Sequence, residues 1–161
     1  MRPGTGARQV STKAAGGTDA AVVAAGLIAD LRLRSTRARI DVLAVLLAAG
    51  EALSHHDVED RLRRRHAIDR VTLYRVLEWL VEQGLAHRVA GVDRVWRFSV
   101  SGHGFGSGSE AAHAHAHFRC VECGKVVCLA DAGMPSVAVP AGYRQDEVEV
   151  TVKGHCDRCS R

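Results

Sequence analysis

Two Cys-x-x-Cys pairs, Cys120/Cys123 and Cys156/Cys159, place four thiols in two short turns of a 161-residue chain. Each turn aims two sulfurs at one point, and the two together supply the donors of a tetrahedral, structural zinc site. A His-x-His-x-His run, His113, His115 and His117, stands just ahead of the first pair. On a β-strand these positions share parity, so the three imidazoles face one way and Ala114 and Ala116 the other, and neighbouring same-face histidines can chelate one ion. Cys128 is the odd thiol and could complete such a site. His87 and His103 lie further upstream, and either could bring another part of the chain onto the same metal. The chemistry on offer is metal binding of two kinds, one that holds a fold and one that senses.

These ligands need a framework. An odd cysteine count with metal-type spacing argues against an oxidised disulfide scaffold and for a reducing cytoplasm. No segment approaches the ~20 apolar residues that span a bilayer, so a soluble protein with no membrane partner is expected. The net charge of +4 is unevenly placed, with 14 Lys/Arg against 10 Asp/Glu in residues 1–90 and 8 against 8 in residues 91–161. A basic front half suits a module that faces nucleic acid.

Residues 1–18 lack apolar periodicity and read as a disordered basic arm. A helix is expected over Ala20–Arg32, a second from a Ser35-Thr36 cap to Gly50, a third opened by the Ser54/Asp57 capping box and a fourth capped by Asp69 and ended by Gly84. In the fourth, Val71, Leu73, Val76, Leu77, Leu80 and Val81 form the expected buried stripe. Leu85–Ala90 and Arg94–Val100 flank a turn signal, as in a hairpin. This order predicts an α+β protein whose first domain, residues 19–90 with a wing to about 100, is a winged helix-turn-helix. A Gly/Ser-rich loop follows at 101–112. Residues 113–161, with expected strands Ala114–Cys120, Lys125–Leu129 and Asp146–Val152, form a second small domain too thin in apolar residues to stand without its metal staple.

Thr72, Tyr74 and Arg75, at the exposed start of the fourth helix beside Arg70, have the donors and the aromatic edge that read a DNA groove. Arg37, Arg39 and Arg94 are candidate phosphate contacts. His55, His56 and His66 read as solvated or phosphate-adjacent groups, and the run Arg61–Arg65 as a solvated helix face. An enzyme is not expected, since neither His-Glu-x-x-His nor the zinc-deaminase signature is present, and no small-molecule substrate is expected. A zinc buffer or metallochaperone would explain the ligands but leave the basic half without a use.

Val71-Thr72-Leu73-Tyr74-Arg75-Val76-Leu77, the His-rich strand, Cys120-Val121-Glu122-Cys123-Gly124-Lys125 and Gly154-His155-Cys156 with Cys159 together resemble the ferric/zinc uptake regulator (Fur) family over roughly residues 25–161. The resemblance implies a homodimeric, metal-dependent transcriptional repressor with an N-terminal winged helix and a C-terminal α/β dimerisation domain, binding a pseudo-palindromic double-stranded DNA operator. It carries the DNA-contacting pair onto Tyr74 and Arg75, and the structural zinc site onto Cys120, Cys123, Cys156 and Cys159. It carries the regulatory site onto His115 and His117, with Cys128 where a glutamate is usual, and the hinge ligand of zinc-sensing members onto His87.

Departures narrow the expectation. Ala114, Ala116 and Val148 replace polar residues of a further site in many iron-type members, and Ala52 replaces a histidine ahead of the third helix. Arg97 or Phe98 stands where the wing's second strand usually has a ligand, which makes His103 the candidate substitute and His113 a less favoured one. Imidazole with thiolate suits tetrahedral zinc better than ferrous iron. The expected sensor set is His87, His103, Cys128 and one or both of His115 and His117, in a Zur-like regulator of zinc uptake. An iron- or peroxide-responsive relative is the alternative.

Overall fold

The computed structural model describes residues 17–64, 68–91, 93–100, 116–129, 132, 135–145 and 148–161. The Gly/Ser-rich loop and most of the expected arm lie outside them. Helix α1, Gly17–Asp30, starts earlier than expected and takes up the end of that arm, with Asp19 in its first turn where an acidic side chain favours the helix dipole. Its Ala20, Ala24 and Ile28 repeat every fourth residue and are buried. Helix α2, Arg37–Ala49, begins at Thr36, whose hydroxyl accepts from the Arg39 N–H, and ends at Gly50 with φ +62°. Asp41 and the run Val42–Leu46 are buried.

Strand β1, Leu53–Ser54, leads directly into α3, His55–Arg63, through the expected capping box, in which the Ser54 hydroxyl and Asp57 carboxylate serve each other's backbone N–H. Helix α4, Arg70–Glu82, is capped by the Asp69 carboxylate, which accepts from the Thr72 N–H at 2.9 Å. Leu73, Val76, Leu77 and Leu80 face the core with Ile28, Leu43, Leu62 and Leu85. Removing a leucine side chain of this kind from water stabilises the fold by about 2 kcal/mol. The expected stripe is corrected at one end: Val71 is 60% exposed. Two residues correspond to about 200° around a helix axis, so with Leu73 inward Val71 turns outward.

The wing is a three-stranded antiparallel sheet, order β1-β3-β2, with β2 at His87–Ala90 and β3 at Trp96–Ser99. Strand β1, too short to carry a periodicity, pairs Leu53 with Phe98 and ties the hairpin to the root of α3. A second sheet, order β5-β4-β6, is built from β4, Ala116–Cys120, β5, Val126–Leu129, and β6, Val150–Gly154. β6 runs parallel to β4 and lies further along the chain than the expected Asp146–Val152, because its register sets Gly154 against Cys120. Gly154 is thus a strand residue. A Cβ there would come within 3.0 Å of the Phe118 ring.

The two sheets meet at a small joint. The Ala52 N–H donates to the Val126 carbonyl at 2.9 Å, and Ala52, Val89 and Val126 bury one another. Glu51 accepts from Arg61 of α3 at 3.0 Å, and its other oxygen lies 3.7 Å from the Lys125 ammonium. No helix among the described residues is long and apolar enough to cross a membrane.

Candidate metal centres

The first cluster gathers Cys120, Cys123, Cys156 and Cys159, whose sulfurs all lie within 4.8 Å of one another. None is in a disulfide. Cys120 ends β4, and Gly124, with φ +70°, closes the first knuckle by donating its N–H to the Cys120 carbonyl at 3.1 Å. The parallel register of β6 delivers the second knuckle to the same place, where the Cys156 N–H donates to the Cys120 sulfur at 3.4 Å. Cys123 and Cys156 sulfurs are 3.7 Å apart. Metal–sulfur bonds of about 2.3 Å in a tetrahedron require sulfurs about 3.8 Å apart, so the donor set fits zinc in type and spacing.

The electrostatics agree. Backbone N–H groups, led by that of Cys123, hold the Cys120 thiol down to about 6. Hydrogen bonds with Cys156 and Cys123, together with burial, push Cys159 up to about 12. Without a cation the four sulfurs cannot all be thiolate side by side, and a divalent ion removes that conflict.

The second cluster unites the two sheets. His117 and Cys128 are direct partners across β4 and β5, and His87 opens β2 in the wing. The three ligand atoms lie within 4.8 Å of one another, and the Nε2 atoms of His87 and His117 are 3.1 Å apart. Metal–nitrogen bonds of about 2.0–2.1 Å in a tetrahedron place nitrogens about 3.3 Å apart, close to that separation. Burial lowers the His117 pKa below the ordinary imidazole value and raises the Cys128 thiol. Near neutrality the His117 imidazole is therefore uncharged, while Cys128 keeps a proton that a bound metal would displace. His103, His113 and His115 lie outside the described residues.

On α4, Tyr74 and Arg75 are exposed and Thr72 is half-buried. The His55 ring packs on Tyr74 with centroids 4.8 Å apart, and on His56 at 3.9 Å. The other arginines are more engaged than their sequence positions reveal. Arg37 bonds the buried Asp41 at 2.6 Å, Arg70 lies 3.3 Å from the buried Glu59, and Arg39 stacks over Trp79 and donates to the Arg34 carbonyl. Arg94 is exposed in the wing turn. Sequence reasoning missed Glu51, Glu59 and Lys125. Glu59 sits four residues before Arg63, a spacing that helices use for ion pairs, whereas the Glu51–Lys125 contact spans the joint and has no local signal.

A model of the Ferric uptake regulator family matches residues 30–145, from the end of α1 past the second sheet's first two strands. The chain belongs to the ferric uptake regulator family. It is accordingly a metal-responsive, DNA-binding transcription regulator, of a family whose members are not enzymes. No curated protein matches the chain.

Solved structures of the ferric uptake regulator fold superpose along nearly their full length. A zinc uptake regulator complexed with zinc and DNA is 23% identical, with a TM-score of 0.61, covering 91% of this chain and 96% of that one. The Vibrio cholerae ferric uptake regulator is 19% identical at a TM-score of 0.56, covering 81% and 98%. The Helicobacter pylori ferric uptake regulator is 18% identical at 0.54, covering 92% and 97%. At these identities the likeness is one of fold.

Proposed function

We propose that this family member is a zinc-responsive transcriptional repressor that binds a pseudo-palindromic operator as a metal-loaded homodimer and controls zinc-uptake genes. The observation that carries the reading is the meeting of His87 from the wing with His117 and Cys128 from the second sheet. Two imidazoles and a thiol form a donor set soft enough to prefer zinc to ferrous iron. His87, His117 and Cys128 hold the sensor ion, with His103 or His115 as the remaining ligand. Cys120, Cys123, Cys156 and Cys159 hold a second, structural zinc.

Bound zinc would act as a cross-link between ligands of opposite sheets. His87 is one residue from Ala86 and two from Leu85, both packed in the helical core, so its position fixes the wing and α4 together. His117 and Cys128 fix the second sheet. With both held, α4 keeps one attitude to the partner protomer's α4, and the two helices reach successive major grooves without the entropic cost of ordering a loose hinge. Thr72, Tyr74 and Arg75 would meet the groove, with Arg70, Arg37 and Arg39 nearer the phosphates. Dimerisation is supported by the edge position of β6 and by exposed Val152, Val137, Val139 and Tyr143. Zinc-dependent retention of duplexes from a randomised pool tests the reading. Enrichment with zinc and its loss with a chelator is expected, and retention indifferent to metal would overturn it.

A further inference from the structure

Val71 has no place in the core. It is 60% exposed on the first turn of α4, in a helix whose other face buries Leu73, Val76, Leu77 and Leu80. Spacings of three and four residues put Val71 on one helical face with Tyr74 and Arg75, and both of these are also exposed. The face is thus a small apolar surface set beside a tyrosine and a cation.

His55 of α3 limits what this face can rearrange to. Its ring contact with Tyr74 holds the tyrosine against the neighbouring helix of the helix-turn-helix. Val71, β-branched and stiff, has a single strongly preferred side-chain rotamer in a helix. A rigid apolar group at the leading turn of a groove-entering helix meets base edges, and the major groove presents one apolar feature there, the thymine 5-methyl group. Guanine O6 and N7 are the matching acceptors for Arg75.

We infer that Val71 is a specificity-determining residue of this regulator, packing on the 5-methyl group of a thymine in each operator half-site next to the base read by Arg75. The inference rests on the reading of α4 as the groove helix. It adds a base preference to that reading and assigns the preference to a side chain that lies outside the hydrophobic core of the described residues.

The test uses zinc-loaded full-length protein and a duplex of roughly 30 base pairs enriched by the wild type from a randomised pool, long enough for two half-sites. Each thymine is replaced in turn by deoxyuridine, which removes only the methyl group, and affinities are measured for wild type and for Val71→Ala. One symmetry-related pair of thymines is expected to matter. Its replacement should weaken wild-type binding by about fourfold per half-site, the size of one buried methyl group, and weaken Val71→Ala binding by less than about twofold. Equal losses in the two proteins at every thymine would overturn the inference. Val71→Thr, which keeps one methyl group, should fall between them, and near-equal melting temperatures exclude misfolding as the cause. Failure of the underlying reading looks different: wild type would enrich no duplex, or Arg75→Ala would bind as tightly as wild type, and the inference falls with it.

Discussion

His117 and Cys128 face each other across an antiparallel strand pair, and His87 of the wing comes within 3.1 Å of the same histidine. One strand register therefore builds two-thirds of the cluster, and the packing of wing against sheet supplies the rest. A shift of one residue in the pairing of β4 with β5 would turn Cys128 to the opposite face. The joint at Ala52 and Val126 guards against this, because it hydrogen-bonds the edge of β5 two residues before Cys128.

Replacing Cys128 with serine should abolish tight, reversible zinc binding while leaving the four-cysteine site loaded. The loss should exceed the roughly 10- to 100-fold that removal of an outer-sphere partner brings, since a ligand itself is removed. Competition against a chromogenic chelator checks this. Wild-type affinity in the variant would show that the thiol is not a ligand.

Zinc affinity at that site should rise with pH. Burial raises the Cys128 pKa, so at neutrality the metal must displace its proton, whereas the lowered pKa of His117 leaves nothing to displace there above the ordinary imidazole value. A slope near tenfold per pH unit, from about one released proton, is expected between about pH 7 and pH 8. Isothermal titration in buffers of different ionisation enthalpy counts the proton directly.

The four-cysteine cluster should behave as folding energy. Cys156→Ser should melt the second sheet, because the knuckle that follows β6 is gathered with the end of β4 in the four-thiol cluster, while α1 to α4 keep their own core. Circular dichroism should retain most helical signal, and size-exclusion should report loss of the dimer.

Glu59 should stabilise the fold at neutral pH and cease to do so in acid. The Arg63 hydrogen bond, followed by the charge of Arg70, holds its pKa below the ordinary value of 4.5. A depressed folded-state pKa stabilises above the unfolded value and ceases to do so as pH falls through the folded one. Glu59→Gln should therefore melt a few degrees below wild type at pH 7, with the gap closing below about pH 4. A gap constant across that range would mean that the carboxylate charge is irrelevant.

Much of this was legible in the sequence where the cause is local. Thr36, Ser54 and Asp69 cap their helices as their positions predicted, since a cap is decided within three residues. The two knuckles were legible because Cys-x-x-Cys spacing already sets two sulfurs side by side. The pairing of Cys128 with His117 was only a possibility in the sequence, because strand register depends on contacts far along the chain. β1 escaped for the same reason: two residues carry no periodicity, and only Phe98 makes them a strand. Val71 misled because an apolar residue in a periodic helix reads as core until the inward face is fixed by Leu73 and Leu77.

On the proposed function, one protomer holds two metal ions for two purposes. A buffered zinc titration of chelator-treated full-length protein, read by elemental analysis alongside native mass, tests it most directly. Two zinc ions per protomer of a dimer are predicted, one surviving the chelator and one exchanging, with only the second lost in Cys128→Ser. A single inert zinc with no exchangeable second ion would contradict the account and turn the search to ferrous iron.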